Sequence, residues 1–394
     1  MKTKVDAGKF AEAMAAVKGL VMKDTLSPFS RVRIDAPGRN VSVTASDGNR
    51  QMTWRFEGET SEPGCVTVAG VALAQFAAAM PLGGVEIETT ATRLVMKGQG
   101  TTYRMAVAGN ELPAMAGLKD GGAAKAVLDG ALLKELFRKT KYAVSGDATR
   151  KALGGICFAM RSDGRLWMTA TDGRRLAHAE AEVDVEVGGK REEGRGKREE
   201  VRGKREEGRG ESGGVEVILD AVTARMLHTL AKEGERVEIA ADRGAVMATG
   251  EQWCLTSRVI DEKYPDWSRI VPVTVHAAKV DVGLFLLGLK RAALAADRLE
   301  GGSMVDVALT KDGMEFSASG TDMAAKVNFV AGVDFTGDAK SVEFTVNPKL
   351  MQDALESIDE DTFELGYDSG TGPLKLTVAG LPWVAVVMPY RKEG

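Results

Sequence analysis

The side chains that most often do chemistry are few and scattered. Histidine occurs three times, at His178, His228 and His276, and no two stand at the spacing of metal ligands. Each reads as a surface or packed histidine. The signatures GxSxG, HExxH and GxxxxGK[ST] do not occur, which leaves no hydrolase elbow, zinc helix or phosphate loop. GRGESG (Gly208 to Gly213) has the spacing of a dinucleotide loop. It closes a charged repeat instead of joining a strand to a helix, so the match fails on context. Asp359, Glu360 and Asp361 would suit a magnesium ion, but they follow an amphipathic segment and precede FELGY. That placement reads as a solvated helix-to-strand turn. Cys65, Cys157 and Cys254 are odd in number and far apart, and read as reduced core cysteines of a cytoplasmic protein. No catalytic residue, metal or cofactor is expected.

The organisation is more informative. KVDAGKF (Lys4 to Phe10) and KVDVGLF (Lys279 to Phe285) are nearly one heptapeptide, and VLDGALL (Val127 to Leu133) is a looser copy. In each, an Asp precedes an apolar-periodic run, the mark of a helix N-cap. The caps Asp6, Asp129 and Asp281 are 123 and 152 residues apart. A charged arm of 28 residues, about 187–214, accounts for the excess in the middle copy. Second helix starts follow at VAGVALAQF, ILDAVTARM and VNPKLMQDAL. Between the helices, segments such as SRVRIDA, RLWMTAT and MVDVALT alternate in strand fashion, and turn strings such as SDG and KDG separate them. Each copy is expected to close with a strand running into a proline: Pro113, Pro265 and Pro389. The fold class read from this pattern is α+β, as three tandem copies of one module with two helices and roughly eight strands. The domains are placed at residues 1–122, 123–273 and 274–394.

The net charge is −4, and apolar residues make up 44% of the chain. The N-terminus has no apolar stretch of signal-peptide length, and no run nears the ~20 apolar residues of a membrane span. Basic residues nevertheless recur on the helical segments. In LLKELFRKTKYAV, Leu133, Leu136 and Phe137 form one face while Lys134, Arg138 and Lys141 form another. Lys9, Lys18, Arg225, Lys232, Lys290, Arg291 and Lys349 occupy comparable segments. Were the helices to line one surface, it would bind phosphates without reading bases.

TATDGRRLA (Thr169 to Ala177), DEKYPDWSRIVP (Asp261 to Pro272), LKRAALAADR (Leu289 to Arg298) and VVMPYR (Val386 to Arg391) resemble motifs of the bacterial DNA polymerase III β subunit family, the sliding clamps. The likeness covers the chain except the arm. It implies a head-to-tail homodimer closed into a ring around duplex DNA, with twelve helices lining the hole. It also implies a non-catalytic processivity factor of the cytoplasm, loaded by an ATP-dependent clamp loader. Polymerase, loader and repair proteins would be held through short linear motifs in a pocket between the second and third domains. The pocket residues implied are Leu153, Thr171, Gly173, Arg174, Arg175, Leu176, Pro265, Ile270, Val386, Val387, Met388, Pro389, Tyr390 and Arg391. Lys23, Arg150 and Lys151 fall at DNA-contacting loop positions, and Met105, Val107 and Leu294 at the subunit interface.

The chain departs from the pattern at Arg174, where the family usually has histidine, and at Tyr390, where it usually has methionine. It also runs on through Lys392, Glu393 and Gly394. The arm, GKREEGRGKREEVRGKREEGRG, has no apolar face and a glycine in every repeat, so it reads as a disordered insertion. Two other readings are a non-replicative clamp paralogue and a metal-dependent nucleic-acid enzyme using Asp359 or Asp361.

Overall fold

The computed structural model describes all residues except 109–110, 119–122, 188–213, 298–302, 331, 337–338 and 392–394. The charged arm therefore lies almost wholly outside the described residues. Six α-helices occur among those described: α1 (Ala7–Val17), α2 (Gly70–Ala79), α3 (Gly130–Thr140), α4 (Ala221–Leu230), α5 (Val282–Ala292) and α6 (Pro348–Leu355). Along the chain, a strand, a helix, several strands, a helix and three strands follow one another three times.

The helix starts are fixed by short side chains that reach forward to free backbone N–H groups. Asp6 accepts from the Lys9 N–H at 3.0 Å and Asp281 from the Leu284 N–H at 2.7 Å. Asp129, Asp220 and Asn347 accept from Ala131, Val222 and Lys349 in the same way. α2 differs, because its cap is Ala69 and makes no side-chain bond.

The chain divides into two compact units. The first comprises Met1–Ala131, Glu186–Val215 and Leu230–Val259. Its main sheet takes strands from both the first and the second repeat. Trp253–Arg258 pairs antiparallel with the long strand Arg50–Glu62, placing Trp253 opposite Trp54. α1 lies on this sheet beside α2, burying Phe10, Ala13, Met14 and Val17. The sheet ends in Thr101–Ala106, paired with Arg93–Gly98.

The second unit comprises Leu132–Val185, Glu216–Thr229 and Ile260–Gly394. One sheet runs Gly214–Asp220, Gly155–Arg161, Arg165–Thr171, Arg175–Glu182, Trp383–Val387, Leu374–Thr377, Thr362–Tyr367, His276–Asp281 and Val333–Thr336. It is continuous from second-repeat to third-repeat strands, joined where Leu176 faces Val386. A four-stranded sheet runs Ala324–Phe329, Gly313–Ser319, Val305–Thr310 and Ser341–Val346. α5 packs Phe285 edge-on against Phe316 and Phe363, at 5.2 and 5.4 Å between ring centroids. Fully burying each such ring contributes about 1.5–3 kcal/mol.

Two expectations fail. Cys65 is exposed instead of in the core; it lies in the outer half of the strand Gly64–Ala69, before the buried stretch Val66 to Val68. The repeats also do not all run from strand into proline. The strands Thr101–Ala106 and Trp253–Arg258 end well before Pro113 and Pro265. Only Trp383–Val387 nearly reaches its proline, Pro389.

Candidate functional site

The string Thr171-Asp172-Gly173-Arg174-Arg175 forms the turn between two adjacent strands. Asp172 accepts from the N–H groups of Arg174 and Arg175, at 2.9 and 3.0 Å. The Thr171 hydroxyl donates to the Arg175 carbonyl at 2.6 Å. Gly173 has φ +85°, and a Cβ there would stand 2.8 Å from Arg150 Nη1. The conformation calls for glycine, whereas the mobile end of Arg150 could give way. The Arg175 side chain turns inward, bridging Asp172 at 3.0 Å and Asp353 at 2.7 Å, and lies 5.3 Å from the Tyr142 ring centroid.

The C-terminal segment is pinned beside this turn. The Met388 N–H donates to the Arg174 carbonyl at 2.9 Å, and the Tyr390 N–H donates to the Thr345 carbonyl at 2.7 Å. These bonds hold the backbone while Met388 and Tyr390 stay 37% and 52% exposed. Leu153 ends the short turn Lys151–Leu153, whose N–H donates to Arg150. It is half-buried against a cluster of Cys157, Ala159, Trp167, Ile218 and Tyr264, together with Trp267. A shallow cavity of about 380 Å³ adjoins this loop, lined by Ser145 to Ala148, Lys151, Gly154 and Ile260.

The expected pocket residues thus fall into two sets. Thr171, Leu176, Val386, Val387 and Pro389 are buried and form the support. Arg175 is held in ion pairs. Leu153, Gly173, Arg174, Pro265, Ile270, Met388, Tyr390 and Arg391 reach the surface to differing degrees. The aromatic support was not anticipated. Trp267 stacks on His178 at 4.1 Å, and His178 Nδ1 lies 2.8 Å from the Thr169 hydroxyl. Burial lowers the His178 pKa to about 4 and raises that of the Tyr264 phenol. Trp267 was within reach, because it stands in the same YPDW string as Pro265. Asp353 and Tyr142 carried no sequence signal.

Many basic residues assigned to a phosphate-facing surface already have carboxylate partners. Arg138 makes two bonds of 2.6 Å to Asp359, a member of the carboxylate run weighed as a magnesium site. This pairing holds the Asp359 carboxyl below its ordinary pKa. Lys290 meets Glu356 at 2.7 Å, Lys349 meets Asp353 at 2.5 Å, Lys9 meets Glu57 at 3.7 Å and Arg150 meets Asp147 at 3.5 Å. Lys141 lies 3.2 Å from His228 Nδ1. Burial and the neighbouring Lys141 hold His228 to a pKa of about 4. Lys18, Lys23, Lys134, Lys151, Arg225 and Arg291 have no ion pair among the described residues and carry the unopposed charge.

Of the three residues assigned to a subunit interface, Met105 is half-buried on the terminal strand Thr101–Ala106. Val107, just beyond it, makes an isolated bridge to Val68. Leu294 is 78% exposed in the turn that follows α5.

Residues 127–192 match the central domain, and residues 269–391 the C-terminal domain, of the DNA polymerase III beta subunit. The beta sliding clamp of Bacillus subtilis is 22% identical, covering 99% of this chain and 100% of its own. That of Staphylococcus aureus (strain Mu50) is 24% identical, covering 95% of each. The Pseudomonas aeruginosa sliding clamp bound to griselimycin superposes over 100% of both chains with a TM-score of 0.86 at 20% identity. Both domain matches fall on the repeats that build the turn and the pinned tail, so these two segments belong to the DNA polymerase III beta subunit family, and the chain over its whole length is similar to the beta sliding clamps.

Proposed function

We infer that this chain is a processivity factor. It would form a non-catalytic ring that encircles duplex DNA without reading sequence and tethers polymerase, clamp loader and repair proteins of the bacterial cytoplasm. The observation that carries the tethering role is the tail segment held at Met388 and Tyr390, with its side chains exposed beside the Asp172–Arg174 turn. Leucine or aromatic side chains of a short peptide would pack on such a ledge. The three domains would be residues 1–122, 123–273 and 274–394, in line with the threefold order of elements.

Two sheet edges that are unpaired among the described residues support closure by a second copy. Thr101–Ala106 ends the sheet of the first unit, and Ala324–Phe329 ends the four-stranded sheet of the second. Exposed Leu82 and Val71 belong to the first unit; Leu294, Met323 and Val330 lie near the second edge in sequence. An edge strand with free backbone groups pairs readily with another chain. Pairing one edge with the other edge of a second copy is the heterologous contact that closes a ring. Met105, Val107 and Leu294 would lie at that contact. Lys18, Lys23, Lys134, Lys151, Arg225 and Arg291 would supply most of the attraction for phosphate, with the paired cations contributing less.

The test is fluorescence anisotropy of a labelled Gln-Leu-x-Leu-Phe peptide, titrated with the full chain and with a version lacking Met388 to Gly394. Saturable binding near the micromolar range, about −8 kcal/mol, that is lost on truncation supports the reading. A folded full-length protein that leaves the peptide free would overturn the tethering role.

A further inference from the structure

Charge around the exposed ledge is unbalanced. Arg174 is exposed with no ion pair among the described residues, and its carbonyl holds Met388. Arg150 crosses the same turn, its Nη1 donating to the Asp172 carbonyl at 3.4 Å. Lys151 follows it in the turn that presents Leu153. Arg391 follows exposed Tyr390. The nearby carboxylates are largely committed. Asp172 is bound by two backbone N–H groups and by Arg175, and Asp147 by Thr149 and, at 3.5 Å, by Arg150. Arg175 is itself consumed by Asp172 and Asp353. Exposed Met388 and Tyr390 therefore adjoin Arg174 and Arg391 with little compensating charge, and Arg150, paired with Asp147, reaches the same turn.

We propose that the partner segments received here carry carboxylates immediately outside their apolar residues, and that Arg174 and Arg391 select them. This rests on the tethering role inferred above and adds the chemistry of the partner. Nucleic acid would use the charge but leave Met388 and Tyr390 uncovered. A peptide with a leucine or aromatic core and acidic flanks covers both. Guanidinium groups suit this task because they bind carboxylates through paired N–H donors. Partly exposed pairs of this kind weaken as salt rises.

Two labelled peptides sharing a Gln-Leu-x-Leu-Phe core, one flanked by two Asp on each side and one by two Ser, decide it. In 50 mM salt the acidic peptide is expected to bind about tenfold tighter, and in 0.5 M salt the two should lie within about twofold. Arg174→Glu and, separately, Arg391→Glu should each lower the ratio of the two affinities. Arg243→Glu, an exposed arginine of the other unit, should leave it alone. Equal binding of both peptides at low salt overturns the proposal and leaves the tethering role intact. So does a ratio untouched by either substitution. If the preference is absent and Arg174→Glu instead weakens binding of labelled duplex DNA, this charge serves phosphate. Binding of neither peptide removes the tethering role and this proposal together.

Discussion

Replacing Arg175 separates two roles that one residue cannot fill together. The likeness to clamps puts Arg175 among residues that touch a bound peptide, whereas the structure spends its guanidinium on Asp172 and Asp353. The three side chains are 11%, 19% and 15% exposed, so solvent screens them poorly. Removing one partner of a buried ion pair costs about 3–5 kcal/mol when the other is left without compensation. Compensation here is partial. Asp172 would keep its two backbone N–H bonds and Asp353 would keep Lys349. Arg175→Met, which preserves much of the aliphatic bulk, is therefore expected to cost about 2–3 kcal/mol, measured by urea denaturation. Arg175→Met combined with Asp353→Leu should cost less than the sum of the two changes, because the double variant no longer leaves the Asp353 carboxylate buried without Arg175. Peptide affinity should fall by a modest factor, through loosening of the Arg174–Met388 contact. If Arg175→Met instead unfolds within about 0.5 kcal/mol of the parent yet binds the peptide more than tenfold more weakly, Arg175 touches the peptide and the positioning argument is wrong.

Three further outcomes follow from the same structure. His178 titrates near 4 when folded against an ordinary 6.5, so the unfolded chain binds the extra proton between those values. Stability should be full above pH 6.5 and decline by up to about 3 kcal/mol as pH falls toward 4. An NMR titration that places His178 near 6.5 would refute this. A methyl at Gly288 would stand 2.3 Å from the buried Phe316 ring, whereas one at Gly283 meets nothing nearer than 3.4 Å. Gly288→Ala should thus destabilise by about 1–2 kcal/mol and Gly283→Ala should stabilise by about 0.5 kcal/mol; equal effects in thermal unfolding would contradict the packing. Arg138 lowers the Asp359 pKa by direct hydrogen bonding. In Arg138→Gln the carboxyl should return toward 3.8 by NMR, and an unmoved midpoint would mean the pair does not persist in solution.

What the sequence makes legible is what short stretches of chain decide by themselves. Asp6, Asp129 and Asp281 could be read as caps because each bonds an N–H two or three residues on. The turn at Thr171–Arg175 could be read because Asp and Gly serve it locally. Contacts across long separations left no such trace. Arg138 and Asp359 are 221 residues apart and Arg175 and Asp353 are 178 apart, so a row of basic residues looked more strongly positive than the folded surface is. The TDGRR string shows why a recognised motif still under-determines its site. Arg174 and Arg175 are neighbours at the start of a strand, where successive side chains point to opposite faces. One therefore reaches solvent beside Met388 while the other enters an ion-paired interior. A motif of adjacent like residues marks the place where binding and support meet. Which residue does which follows from strand parity and from a carboxylate on a helix of the third repeat.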